Sequence, residues 1–419
     1  MTSDQHQEAA SGPLAGLRVL ELVNETGQFC GKLLGDLGAD VVKIEPPGGE
    51  PCRHIGPFLD DVPHPERSLP FWYYNTSKRG ITLNLETADG QRLFRRLAAD
   101  ADIVLETFSP GFLSSLGFDH ASHPGLIVCS LTPFGQTGPW RDYLSSDLLH
   151  MAAGGEMASC GYDTADVPNA PPIAPGGGNA WHMGGHYAAM AIMAALVHRT
   201  LTGRGQHIDV SIHEACALTT ESAIANYIYR GETLLRQTGR HHAPAPTPRT
   251  QFRAKDGLYV TALISGGLNP RNVRNLAALM DAYGMAGDLK DPRYQDPAVI
   301  AASAPHIIDT LLADFIASLP AEEVYHAAQE RGFTWGAVRA VEAVLDDAHL
   351  RDRGFWQTVE HPELGRRFVY PGAGAIYNGS PWGISRRAPL TGEHNEEIYC
   401  GELEISTAEL AVLRENGVL

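Results

Sequence analysis

The residues best placed by type and spacing to do chemistry fall between Gly176 and Gln206. Gly176-Gly-Gly-Asn-Ala-Trp181-His-Met-Gly-Gly185 leads into a run of small and apolar residues up to Leu196, and Thr202-Gly-Arg-Gly-Gln206 closes it. His182 and His186 stand four apart, a spacing that puts two imidazoles on one face of a helix, as in a metal pair. The glutamate of H-E-x-x-H is missing, since Met183-Gly-Gly185 lies between them, and no third ligand sits at a clear spacing. No metal is expected, and the two rings should edge a pocket, with Gly184 and Gly185 letting a neighbouring helix come close. The six cysteines (Cys30, Cys52, Cys129, Cys160, Cys216, Cys400) include no C-x-x-C pair and no adjacent His-Asp arrangement. They read as buried small hydrophobes in a reduced compartment.

Positioning such residues takes a scaffold, and 419 residues are enough for two domains with substantial cores. Residues 17–22 have strand composition, 29–37 are helical and 41–45 form a second strand. That is a βαβ unit, the start of a doubly wound (Rossmann-like) α/β domain. Residues 81–85, 103–106 and 126–131 read as further strands and 90–99 as a helix, while the Pro- and Gly-rich 161–178 must be loop. One long helix is expected from Glu214 towards Tyr229, followed by a proline-rich linker at 240–248. Beyond it, 258–263 reads as a strand, and 271–283 and 307–317 as helices. The expected order is a disordered tail at 1–12, a large domain at 13–230, a linker and small α+β domain at 231–336, and a return to the large domain at 337–419.

The βαβ unit raises the question of a nicotinamide cofactor, with Glu45 where a ribose-binding acid would sit. Asn24-Glu-Thr-Gly27-Gln-Phe-Cys-Gly31 is not G-x-G-x-x-G, so Glu45 reads as a strand-end carboxylate. The net charge of -17 argues against nucleic acid or an anionic membrane as the main partner. The first residues lack the apolar stretch of a signal peptide, and 188–197 is too short to span a bilayer. A cytoplasmic protein is expected.

Five further blocks extend the pattern around Trp181: Gly16-Leu-Arg-Val-Leu-Glu21, Asp36-Leu-Gly-Ala-Asp-Val-Val-Lys-Ile-Glu45, Asn75-Thr-Ser-Lys-Arg-Gly80, Phe108-Ser-Pro-Gly111 and Arg387-Ala-Pro-Leu-Thr-Gly-Glu-His394. In order and spacing the chain resembles the class III CoA-transferase (CaiB/BaiF) family over nearly its whole length. The resemblance implies a large domain built from both chain ends, a smaller middle domain, and an interlocked dimer. In that family a Gly-Asp pair opens the small-residue helix, and counting back from Thr202 puts the catalytic Asp on Trp181 and a helix glycine on Gly185. A carboxylate attacks a thioester carbonyl to give a mixed anhydride, which an indole nitrogen cannot do.

The family also places cations near the strand ends for the CoA phosphates, and this sequence departs from it repeatedly. Pro46, Glu86, Ser115 and Leu144 occupy positions that can be basic, and Glu86 puts an anion beside a phosphate. Asn24, Lys78, Arg79, Thr107, Phe108 and Asp147 remain as candidates for a residual CoA pocket, although Lys78 and Arg79 read equally well as a solvated turn. Asp147 in Ser145-Ser-Asp-Leu-Leu-His150 and Glu156 after Gly154-Gly155 are candidates for a relocated nucleophile; a structural role is the simpler reading of each. Racemases of the same superfamily need a His where Ser146 stands, so two-base proton transfer is not supported.

The resemblance therefore implies a non-catalytic subunit. Its partner, a family member carrying the Asp, would complete a hetero-oligomer that moves CoA from an acyl-CoA donor such as succinyl-CoA to a carboxylic acid. The acid expected is (R)-benzylsuccinate, of anaerobic toluene breakdown. CoA would be a substrate held by the partner, and no covalent cofactor is implied. A homodimer using Asp147 or Glu156, or a non-enzymatic CoA-binding scaffold, are the alternatives.

Overall fold

The computed structural model describes residues 12–118, 120–220 and 222–419, so residues 1–11 of the expected tail lie outside them. The chain divides into two compact units. The first runs to Glu156, takes in Pro175–Thr220 and ends with His349–Leu419; the second comprises Met157–Ala174 and Glu221–Ala348.

The first unit is built on a six-stranded sheet with the order β3-β2-β1-β4-β5-β6. Its strands are β1 (Arg18–Leu22), β2 (Asp40–Glu45), β3 (Lys78–Thr82), β4 (Ile103–Glu106), β5 (Ile127–Thr132) and β6 (His207–Ser211), and every pairing is parallel. The inner strands are near-continuous apolar runs because helices cover both faces of a parallel sheet. On one face Leu20, Val42 and Ile44 pack with Leu93, Phe94 and Leu97 of α3 (Ala88–Ala99), and the C-terminal helix Thr407–Glu415 adds Leu410 and Leu413. Both ends of the chain thus share one core. Its other helices include α1 (Gln28–Asp36), α2 (Leu69–Tyr74), α4 (Phe112–Ser115), α5 (Asp147–Ala153), α7 (Asn179–Thr202) and α8 (Ile212–Leu218), and α6 (Glu156–Ser159) begins at the last residue of the first segment. Glycines let α7 close on its neighbours: a Cβ on Gly185 would stand 3.2 Å from the Cys30 backbone nitrogen in α1, and one on Gly184 2.8 Å from Ile212 Cγ1 in α8. The strand order reverses between β1 and β4, which makes the carboxyl ends of those strands the expected place for a ligand.

The second unit holds α9 (Ala223–Arg230), a hairpin of β7 (Leu235–Gln237) and β8 (Arg240–Ala243), and an antiparallel sheet of β9 (Gln251–Arg253), β10 (Tyr259–Thr261) and β11 (Gly336–Val338). Phe252, Val260, Leu276, Phe315 and Trp335 form its own core.

Four local expectations need correction. The third strand begins at Lys78 instead of 81, since the charges of Lys78 and Arg79 are neutralised inside the fold. The single helix expected at 214–229 is two, α8 and α9. Thr219 ends the first of them, its backbone N–H turning to Cys216 O at 3.0 Å in a tightened last turn. The first residues of the expected linker are β8. Ala337 pairs with Val260 in the second unit's sheet, and the first unit resumes at His349. No helix among the described residues is long and apolar enough to cross a membrane.

Candidate active site

The first turn of α7 presents free backbone N–H groups and the positive end of the helix dipole, a setting that suits an anion. Gly178 forms the N-cap at φ 71° and offers no side chain. Asp147 supplies the missing acceptor, its Oδ1 receiving the Ala180 N–H at 2.8 Å. Asp147 is fixed in turn as the first residue of α5, which Ser146 caps by accepting from Leu149 N–H.

Trp181 follows directly, half-buried, with its ring edge-on to His150 at 5.7 Å. His150 is fully buried and also packs against Phe134 (5.2 Å) and His213 (6.2 Å). Neither of its ring nitrogens has a hydrogen-bond partner among the described residues. Burial, aided by His213, lowers its pKa to about 4, so the ring is neutral. On the next positions of α7, His182 Nε2 lies 2.8 Å from Tyr74 Oη and His186 Nδ1 donates to His182 O at 2.9 Å. Phe29 packs against both imidazoles, at 4.6 and 4.9 Å. The described residues contain no group of three or more side chains able to hold a metal. Glu156 is buried and accepts from Thr219 Oγ1 at 2.6 Å, while burial raises its pKa.

A cavity of about 430 Å³ opens at the carboxyl ends of β1 to β4. Its apolar wall includes Leu22, Ile44, Leu83, Phe108 and Phe112, and its charged groups are Glu45, Glu50 and Glu86. No lysine, arginine or histidine is among the described residues that line it. Both Glu45 oxygens are held by Arg53 behind the wall, at 2.9 and 2.6 Å. Glu50 has no such ion pair among the described residues, and burial raises its pKa against the pull of Lys43.

The six pocket candidates separate into three places. Asn24, Thr107 and Phe108 meet at the switch point: the Asn24 N–H donates to Thr107 Oγ1 at 3.0 Å, and Phe108 lines the cavity. Lys78 and Arg79 are no solvated turn. Lys78 is fully buried on β3 and donates to Glu21 Oε1 (2.7 Å), Asn75 Oδ1 (2.9 Å) and Gln28 O (3.1 Å). Burial lowers its pKa to about 8 against the pull of Glu21. Arg79 is spread over Asp40, Glu397 and Glu402. Asp147 belongs with Trp181. Of the positions where cations are missing, Pro46 and Glu86 line the cavity, Leu144 is 91 % exposed, and Ser115 donates its hydroxyl to Phe112 O.

The model of CoA-transferase family III matches residues 14–395. The chain belongs to that family. It is 32 % identical over 393 residues to succinyl-CoA:(R)-benzylsuccinate CoA-transferase subunit BbsE of Thauera aromatica, covering 92 % of this chain and 93 % of the relative. It is 30 % identical over 416 residues to the succinyl-CoA–L-malate CoA-transferase beta subunit of Chloroflexus aurantiacus, covering 97 % and 98 %. A crystal structure of a CaiB/BaiF family protein from Brucella suis superposes with a TM-score of 0.79 at 29 % identity, over 93 % of this chain and 99 % of that one.

For a family III CoA-transferase, the unexpected feature is a strand-end cavity that offers carboxylates to a polyanionic substrate. The sequence reading also passed over His150 and Tyr74. His150 follows Asp147 by three positions, so a shared helix face was legible. Tyr74 gave no signal, because its contact with His182 spans 108 positions.

Proposed function

We propose that this chain is the non-catalytic subunit of a heteromeric family III CoA-transferase whose partner, a chain of the same family, carries the nucleophilic aspartate. The observation that carries this reading is the first turn of α7. Asp147 is bound there to the Ala180 N–H and Glu156 to Thr219, and in this reading Trp181, reached by counting back from Thr202, takes the place of the family's carboxylate. The acidic strand-end cavity supports it, since CoA would then be held by the partner. Names support the heteromer too: both relatives are called subunits. Apolar surface is available for a partner: Ile224, Tyr227, Ile228 and Tyr229 of α9 and Met190, Val197 and Leu201 of α7 are exposed.

In this reading the partner's carboxylate attacks the succinyl-CoA carbonyl and expels CoA thiolate. The thiolate adds to the aspartyl carbonyl of the mixed anhydride, releasing succinate and leaving an aspartyl thioester. The carboxylate of (R)-benzylsuccinate attacks that thioester, and the expelled thiolate then takes the benzylsuccinyl group from the second anhydride. This chain supplies interlocked framework to a cytoplasmic assembly. The test is CoA exchange from succinyl-CoA to benzylsuccinate by the chain alone and with a co-expressed Asp-bearing partner. Activity is expected only with the partner and is lost when the partner's aspartate becomes asparagine. Turnover by this chain alone would sink the proposal and make Asp147→Asn and Glu156→Gln the next proteins.

A further inference from the structure

The second unit contains a cavity of about 350 Å³, within the roughly 300–1,000 Å³ range of small-molecule sites. Two stretches of chain give it two kinds of lining. From β8 and the segment before β9 come His241, Thr247, Arg249 and Thr250; from elsewhere come aliphatic side chains, among them Ile264 and Leu312. The two hydroxyls are engaged within the fold, Thr250 to Gly239 O and Thr247 to Gln237 Oε1. Arg249 is different. Its guanidinium carbon lies over the Phe252 ring at 4.5 Å, and its one ion pair among the described residues is a loose 3.9 Å approach to Asp309. Arg339, in the same unit, shows what a structural arginine looks like here, with Nε and Nη2 donating to the two Glu322 oxygens at 2.6 and 2.8 Å.

An apolar cavity whose lining includes a loosely paired, 44 % exposed arginine has a definite complement. The aliphatic surface favours burial of a hydrocarbon body, and the planar fork matches a carboxylate in bidentate geometry. The face of Phe252 holds the guanidinium without using its N–H groups. We propose that this cavity binds a small monocarboxylate with a compact apolar body, such as an arylalkanoate, with Arg249 as its anchor. The inference concerns the isolated chain and does not depend on a partner or on CoA transfer.

Calorimetric titration of the purified full chain with hydrocinnamate and with hydrocinnamyl alcohol, its neutral counterpart, tests it. The acid should bind about tenfold more tightly than the alcohol, the factor expected from a charge-assisted hydrogen bond. Arg249→Gln should remove that preference while leaving alcohol binding in place, and Ala304→Phe, which fills the cavity, should abolish both. Circular dichroism would confirm that each variant is folded. Equal binding of acid and alcohol overturns the carboxylate assignment. Failure of both to bind, or binding untouched by Ala304→Phe, overturns the site.

Discussion

At the scale of single residues, the region around Trp181 is governed by how buried polar groups are or are not satisfied. His150 lies under the indole with neither ring nitrogen bonded among the described residues, so the fold tolerates it only as the neutral base. Its folded pKa of about 4 is below the ordinary histidine value of 6.5. The unfolded chain therefore binds the proton first as pH falls, and stability drops through the window from 6.5 towards 4, by at most about 3 kcal/mol. Urea unfolding at about pH 7 and about pH 5, on either side of the upper edge of that window, should show wild type losing more stability than His150→Phe. Equal losses would show that His150 is not the group responsible. The same residue shows where sequence reading stops. The indole at the expected carboxylate position was legible from the count back to Thr202, but the buried imidazole beneath it was not. Its burial depends on Phe134 and His213, which only the fold brings near.

At the scale of elements, α1 is held against β1 by the absence of a side chain at Gly31. A Cβ there would stand 2.4 Å from Glu21 Oε1 and 2.7 Å from its carboxyl carbon. Glu21 is fully buried and paired with Lys78, so displacing it leaves an uncompensated buried charge. Gly31→Ala should cost about 3 kcal/mol in chemical denaturation despite a helix-propensity gain of about 1 kcal/mol. The atoms nearest a Cβ on Gly184 belong to the apolar Ile212 and Leu131 side chains, so Gly184→Ala should cost less, and an equal or reversed order would refute this account. Most strands of the parallel sheet were readable because buried parallel strands are apolar runs, as at 103–106. The third was placed late because Lys78 and Arg79 look like surface until Glu21, Asp40, Glu397 and Glu402 are brought to them from both ends of the chain. The 214–229 helix looked continuous because no glycine or proline interrupts it, while the backbone N–H of Thr219 turns to Cys216 O and ends α8. Such long-range pairs and local competitions leave little trace in periodicity.

At the scale of the whole molecule, charge is the property that decides how the chain meets CoA. A net charge of -17 surrounds a strand-end cavity whose own charged groups are Glu45, Glu50 and Glu86. The global field opposes phosphate and so, locally, do Glu50 and Glu86, Glu45 being paired with Arg53, while Lys78 and Arg79, committed to internal carboxylates, supply no counter-charge. A cation-lined nucleotide site loses affinity as salt rises, because salt screens attraction. Here salt screens repulsion instead, so the sign reverses. Whatever weak affinity the isolated chain has for CoA should increase between about 0.05 and 0.5 M sodium chloride, as the screening length falls from above about 10 Å to a few ångströms. Glu86→Lys should tighten binding at low salt and flatten that dependence. Equilibrium dialysis with CoA and with pantetheine, which lacks the phosphates, separates the effect from general salting-out, since pantetheine should respond to salt in neither protein. CoA affinity that falls with salt in the unaltered chain would mean that cations from elsewhere reach the phosphates, and the reading of this subunit as framework for a partner's chemistry would lose its electrostatic support.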